Sequence, residues 1–366
     1  MKKIFVMAAL AMAAISCTKS DVLDSPVLNQ GISFNTYLGK APVSKATVQD
    51  NESVMEDYSF SVKAIKYYPG TDEESEYVKD TKNPVYMDRD LSHNGSNWVY
   101  DGNLVYWPTD GAALRFIAFG NNVNPTTTTT TNFALIGDSQ TEYTYTVPAE
   151  LADQQDLIVA TTDILGTEEE KPAVGLNFKH LLSRIGFSLT SNATVPVHIS
   201  ELKIVGDFYT TATIDLLDET VSEELELAPV IDANAPKQES YDIIKVTNTF
   251  TPEFTTTTET NDSGEQQTIT TPKKVSIYDR ENSVTEENRF LMIIPQGATK
   301  IIGKYTLGDD ETVRPIEILM EGIEALSEGF LPGKAYEFVL NVKADVISFS
   351  VNVTGWDEIS DFTENI

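Results

Sequence analysis

The chain has 366 residues, with 56 acidic against 26 basic side chains and a formal net charge of -30. A surface that negative repels phosphate backbones and anionic headgroups, which excludes nucleic acid as a partner. A single cysteine is present, so disulfides, cysteine-ligated metals and thiol catalysis are excluded from the folded body.

In chain order the first element is a leader. Lys2 and Lys3 precede an uncharged run from Ile4 to Ile15, too short to span a bilayer as a helix but matching the apolar core of an export signal. The run leads through Ala14, Ile15 and Ser16 to Cys17, and so resembles a bacterial lipoprotein box, in which the thiol is acylated and the cysteine becomes the mature N-terminus. Residues 1–16 are expected to be a lipoprotein signal peptide and Cys17 the lipidation site. The roughly 350 residues that follow are enough for two ordinary domains.

Strand follows strand after the leader. Ile32-Ser33-Phe34, Tyr58-Ser59-Phe60-Ser61-Val62, Tyr143-Thr144-Tyr145-Thr146-Val147 and Phe338-Val339-Leu340-Asn341-Val342 combine β-branched and aromatic residues with alternation. Near the end Ile347, Phe349, Val351 and Val353 share one strand face, and Ser348, Ser350, Asn352 and Thr354 the other. Only short helical turns are expected, over residues 149–155, 178–183 and 323–326. The pattern predicts an all-β protein of antiparallel sandwiches. The threonine runs at 126–131 and 255–271 read as hairpin tips or mobile loops, and the acidic stretches 72–76 and 168–170 as solvated loops. Around His180 the apolar spacing changes from three to four residues to two, which reads as a helical turn entering a strand and sets a domain boundary near Leu176.

Catalytic chemistry finds little support. The three histidines, His93, His180 and His198, form no HExxH pattern, and neither a GxSxG elbow nor a glycine-rich phosphate loop is present. Asp88, Asp90, Ser92 and Asn94 have calcium-loop spacing, but His93 replaces the required glycine and Val99 the closing glutamate, so a hairpin is expected instead. His180, in an apolar stretch, reads as a satisfied structural histidine. No catalytic residue, metal or cofactor is expected.

Three separated motifs point to one family. Trp98-Val99-Tyr100, Leu104-Val105-Tyr106-Trp107-Pro108 and Leu114-Arg115-Phe116-Ile117-Ala118-Phe119 form the first. Asp156-Leu157-Ile158-Val159-Ala160 with the run Val174 to Phe187, containing Phe178-Lys179-His180-Leu181-Leu182-Ser183-Arg184, is the second. Phe330-Leu331-Pro332-Gly333-Lys334-Ala335-Tyr336, leading to Ile347 to Val353 and Trp356, closes the set. Order and spacing resemble the Bacteroidales fimbrillins, the Mfa-like and FimA-like subunits of type V pili, over nearly the whole mature chain.

The resemblance implies two tandem transthyretin-like antiparallel β-sandwich domains, at residues 46–176 and 177–366, behind a lipidated propeptide at 17–45. It implies a structural pilus subunit exported as an outer membrane lipoprotein to the cell surface and polymerised by protease-triggered strand exchange. The partners would be other pilin subunits, the outer membrane through the lipid on Cys17, and host or bacterial surface ligands. Residues 31–38, with Ile32, Phe34 and Leu38, are the candidate displaced strand. Ile347, Phe349, Val351 and Val353 mark either the donor strand or a permanent core strand. Relatives are cut after arginine, but this chain has none before Arg89, which leaves the bond between Lys45 and Ala46 as the expected cleavage point. Accessory tip and anchor roles share every motif, and a glycan-binding lipoprotein would need Trp98, Trp107 or Trp356 as an aromatic platform. All three tryptophans are expected in the core.

The lone cysteine supplies the first test. Cys17→Ala is expected to abolish labelling by a palmitate analogue and to release the protein from the membrane fraction; unchanged labelling would refute the lipid anchor.

Overall fold

The computed structural model describes residues 31–38, 59–71, 77–121, 133–166, 173–217, 229–260, 265–279, 289–343 and 347–356. Among them run β1 (Phe34–Leu38), β2 (Ser59–Pro69), β3 (Tyr77–Lys79), β4 (Val85–His93), β5 (Trp98–Tyr100), β6 (Ala113–Asn121), β7 (Phe133–Leu135) and β8 (Glu142–Thr146). There follow β9 (Ile158–Thr161), β10 (Val174–His180), β11 (Ser183–Ser191), β12 (Val197–Tyr209), β13 (Thr211–Asp215), β14 (Lys237–Ile244), β15 (Asn248–Phe250) and β16 (Phe254–Thr260). The last are β17 (Gln266–Pro272), β18 (Val275–Ile277), β19 (Leu291–Ile293), β20 (Lys300–Leu307), β21 (Asp310–Leu319), β22 (Lys334–Val342) and β23 (Ile347–Gly355).

The chain is all-β, as its alternation predicts. Two of the three expected helical turns are present, as single 3-10 turns at Leu151–Asp153 and Glu324–Leu326. The third is not. Residues 178–180 complete β10, whose buried positions alternate strictly, and Leu181 and Leu182 alone separate it from β11. Both leucines are buried, so the three-to-four spacing came from the chain passing between two core strands and not from a helix. The stretch with calcium-loop spacing forms the expected hairpin, β4–β5, closed by Asn94 and Asn97 and by Gly95 at a positive φ of 88°. Within the threonine run at 255–271 lie parts of β16 and β17, which among the described residues pair only with each other. The run at 126–131 and both acidic stretches lie outside the described residues.

One sheet has eight strands in the order β1-β10-β9-β6-β2-β4-β5, with β3 added beside β2. Two five-stranded sheets follow: β18-β11-β22-β23 with β19 on β11, and β14-β12-β20-β21 with β15 on β12. A three-stranded sheet β13-β8-β7 runs across the sequence position of Leu176, which itself lies inside β10. Pairing is antiparallel except at β1–β10 and β11–β22. Each of these joins segments far apart in sequence, the long connection that a parallel pair requires.

Period-two alternation gives the eight-stranded sheet two apolar faces. Phe60, Val62 and Ala64 of β2, Leu114, Phe116 and Ala118 of β6, Ile158 and Ala160 of β9, and Val174, Leu176 and Phe178 of β10 point into a smaller apolar cluster. Ile65, Tyr67, Ile117 and Val159, from the opposite face, join a larger one. The larger cluster also takes Ile185, Phe187 and Leu189 of β11, Tyr336, Phe338 and Leu340 of β22, and the inward residues of β12, β20 and β21, so both five-stranded sheets share it.

Among the buried ionisable side chains, one acidic group stands beside this core. Glu337 of β22, 2% exposed, accepts hydrogen bonds from Ser188 Oγ at 2.6 Å and Asn352 Nδ2 at 3.0 Å, and Lys274 Nζ lies 2.9 Å away. Burying a carboxylate is costly unless it is paired and hydrogen-bonded in this way, and these partners come from β11, β23 and the segment before β18.

Phe338 is buried 5.5 Å from Phe187 and 6.4 Å from Phe330, ring centre to ring centre. Phe338→Ala is expected to cost about 3–5 kcal/mol by lost transfer energy and the cavity left behind. Urea unfolding measures this, and a loss under about 1 kcal/mol would mean that the ring is not part of a packed core.

Candidate functional site

The first strand lies in a slot of its own making. Gly31-Ile32-Ser33-Phe34-Asn35-Thr36 alternates, and the side chains of Ile32, Phe34 and Thr36 are 2%, 4% and 0% exposed while Ser33 and Asn35 face outward. β1 pairs in parallel with the edge of β10, in a register running from Phe34 opposite Val174 to Leu38 opposite Phe178. Ahead of this ladder the chain crosses to the other side of the slot, where Gly31 bridges Tyr106 and the Ile32 N–H donates to the Val105 carbonyl at 2.8 Å. The fit is close there: a Cβ at Gly31 would meet Leu104 Cδ2 at 3.3 Å. The hydroxyl of Tyr100 donates to the Ile32 carbonyl at 3.1 Å and accepts from the Val105 N–H at 3.2 Å, clipping both chains together.

Aromatic rings form the floor and walls. Phe34 meets Phe116 edge-on at 5.7 Å, Trp107 meets the same ring at 5.8 Å, and Phe60 sits between Phe178 at 4.9 Å and Trp98 at 4.7 Å. The Tyr106-Trp107-Pro108 segment is held down by Tyr86, whose hydroxyl donates to the Tyr106 carbonyl at 2.7 Å and whose titration burial pushes upward. Without β1, the site would present an apolar trough beside an unpaired sheet edge, which is what an incoming alternating strand pairs with and fills.

The sequence-predicted residues divide by location. Ile32 and Phe34 come together in the slot, with Leu38 ending the β1 ladder. Ile347, Phe349, Val351 and Val353 lie in another sheet, on its edge strand β23, opposite Val342, Leu340, Phe338 and Tyr336 of β22. Their face is only half covered, with Val353 39% exposed. Cys17, Lys45 and Ala46 lie outside the described residues.

Beyond the end of β23, Trp356 stacks on His180 at 4.4 Å and 8°, and His180 Nδ1 lies 2.7 Å from the buried carboxylate of Asp156. His180 is thus a partnered structural histidine. Trp98 and Trp107 are half-buried against Phe60 and Phe116, so the three tryptophans form no common platform. Among the described residues no group of three His, Cys, Asp or Glu side chains is placed to hold a metal, and no helix is long and apolar enough to cross a membrane.

Sequence reasoning missed Tyr100, the floor formed by Val174, Leu176 and Phe178, and the buried Thr36. The alternation of β10 signals the floor, but nothing local marks the Tyr100 clip. Tyr100→Phe is expected to cost about 1 kcal/mol. It should raise amide exchange across residues 31–38 while β2 and β6 keep their protection; equal protection of residues 31–38 in both proteins would show that the clip does not hold the strand.

A family model described as Fimbrillin-like matches residues 46–356, a span that contains all three motifs. Among solved structures, a fimbrial protein from Bacteroides vulgatus is similar at 17% identity and a TM-score of 0.53, over 90% of this chain and 100% of that one. A candidate cell adhesion protein from Bacteroides uniformis shares 14% identity at a TM-score of 0.44, over 81% of this chain and 91% of its own. No curated protein matches. The likeness of the first structure is one of fold, and the family match spans most of the sequence: the chain belongs to the Fimbrillin-like family.

Proposed function

We propose that this protein is a non-catalytic structural subunit of a pilus, carried to the cell surface as a lipoprotein through Cys17 and assembled by strand exchange. Membership of the Fimbrillin-like family supports the pilus role. The observation that carries the exchange is the placement of β1. It fills an apolar slot with its own side chains, yet its covalent link to the rest of the sheet is the connection of residues 39–58. Its ladder partner is β10 and not the next strand β2, so a cut after Lys45 severs the link without touching a ladder within the remaining sheet. The family match starts at residue 46, the expected first residue of the processed chain.

Charge favours this mode of assembly. Two copies at a net charge of -30 repel each other over most of their surfaces, so association depends on a short-range contact that buries apolar side chains and pairs backbone. In this reading the partner is another pilin subunit at the fimbrium. Trp98 and Trp107 are half-buried and Trp356 is buried, which gives no support to a glycan platform.

N-terminal sequencing of subunits from assembled filaments is expected to begin at Ala46, and Lys45→Ala to leave a folded precursor that does not assemble. Filaments whose subunits all retain residues 31–38 would overturn the exchange.

A further inference from the structure

One face of the sheet β18-β11-β22-β23 gathers three groups that can react with one another. Tyr336, Phe338 and Leu340 of β22 point into the larger apolar cluster, which puts Glu337 on the opposite face of its strand. Asn352 of β23 is the direct partner of Glu337 in the antiparallel ladder. On the other side lies β11, whose Ser188 pairs with Ser276 of β18, and Lys274 stands two residues ahead of Ser276 on the same face. The strand order therefore sets an amine on one flank of the carboxylate and a primary amide on the other.

Amine and amide converge on one oxygen. Lys274 Nζ lies 3.0 Å from Glu337 Oε2, and Asn352 Nδ2 donates to the same atom at 3.0 Å. Ser188 Oγ donates to Oε1 at 2.6 Å, and Lys274 Nζ lies 2.9 Å from that oxygen as well, so the carboxylate is held in one orientation. An ion pair requires only the lysine and the carboxylate. The amide adds an electrophilic carbon, and its nitrogen, the group that leaves when such a carbon is attacked, is the atom in contact with Glu337. Glu337 is 2% exposed, whereas Asn352 is exposed on the edge strand, which gives a departing ammonium ion a way out.

We infer that Lys274 and Asn352 join in an intramolecular amide cross-link, with Glu337 as the proton carrier. Passing a proton from Nζ to Glu337 discharges both partners, which a site shielded from water favours, and leaves a nucleophilic amine beside its target. Nζ then attacks Cγ of Asn352: the Nζ–Cγ bond forms and the Cγ–Nδ2 bond breaks. Two of the three Nζ protons travel through Glu337 to Nδ2, which departs as ammonium. The third stays on the new amide, and the carboxylate is restored. The balance needs no oxidant and no cofactor, and holding the groups on neighbouring strands supplies the proximity that a reaction between an amine and an unactivated amide lacks in water.

The bond closes the chain between residues 274 and 352 and reaches from one edge strand of the sheet to the other. It restricts the unfolded chain as a long disulfide loop does, in a protein whose single cysteine allows no disulfide. β23 is then a permanent strand of its sheet, whatever happens at β1.

Peptide mass spectrometry of the purified and digested full-length protein tests the cross-link. A branched peptide joining Lys274 to Asn352 is expected, lighter than its two arms together by one ammonia, and absent from Asn352→Ala. Unlinked peptides alone would overturn the cross-link, and a branch from Lys274 to Glu337, lighter by one water, would overturn Asn352 as the acceptor. Glu337→Gln keeps the size of the side chain without the proton carrier and is expected to stay unlinked; a wild-type yield of the branched peptide would refute the role given to Glu337. Should that variant not fold, Glu337→Asp, which keeps the acid but draws it back, is expected to link more slowly, and an unchanged rate would refute the same role. Lys274→Arg keeps the charge beside Glu337 and cannot link, so it is expected to melt below the wild type; equal melting would overturn the stabilising effect of the bond.

Discussion

The packing of β1 between β10 and the segment around Val105 is the contact on which the N-terminal half of this protein depends. An eight-stranded sheet with apolar residues on both faces has two surfaces to keep from water. One is covered by the larger cluster, which reaches into the five-stranded sheets. The other is completed by Ile32 and Phe34 together with the tryptophan-bearing segments. The strand does this with few attachments: a five-residue parallel ladder, one antiparallel bridge and the Tyr100 clip. Its inward side chains are deeply buried while its backbone attachments are few.

The remaining edges are treated differently from one another. β21 carries Pro315 together with Glu311, Arg314 and Glu317, and Arg314 is tied to Asp310 at 2.7 Å, features that discourage pairing with another chain. The β16–β17 ribbon satisfies one edge of each strand and places threonine opposite threonine at 255 and 271, 256 and 270, and 258 and 268. Such pairs support a ribbon that has no core beneath it. β23 lacks these devices; what steadies it is the tyrosine- and phenylalanine-rich β22 on one side and the Trp356 stack at its end.

Much of this fold was legible in the residues. Alternation at Phe60-Val62, Tyr143-Tyr145 and Phe338-Leu340 identified strands because side chains on a pleat repeat every two residues, a local rule that needs no knowledge of neighbours. The passage from β10 to β11 was misread for the same reason. Leu181 and Leu182 belong to no strand, and their burial depends on which sheets they join. A strand over residues 31–38 was legible from its alternation, but the parallel ladder to β10 was not, since nothing in residues 31–38 points to residues 174–178. Glu337, Thr36 and Tyr100 were invisible for a related reason: a buried carboxylate, an unpartnered hydroxyl and a bridging phenol acquire their meaning from partners that the fold alone assembles.

The parallel ladder between β11 and β22 also bears on how the chain reaches its folded state. Arg184 pairs with Ala335 and Ser191 with Val342, so the centre of one five-stranded sheet is made from segments separated by well over a hundred residues, and β23 adds to it last. Loop-closure entropy must be overcome before such pairings yield any stabilisation, which makes folding slow and sensitive to the completeness of the chain. Until β22 is made, β11 has no strand partner on that side. A chain arrested before β22 would lack the middle of its sheet, so the C-terminal segment acts as a checkpoint on synthesis: full-length molecules close the sheet, and truncated ones are left with exposed strand edges open to aggregation and proteolysis.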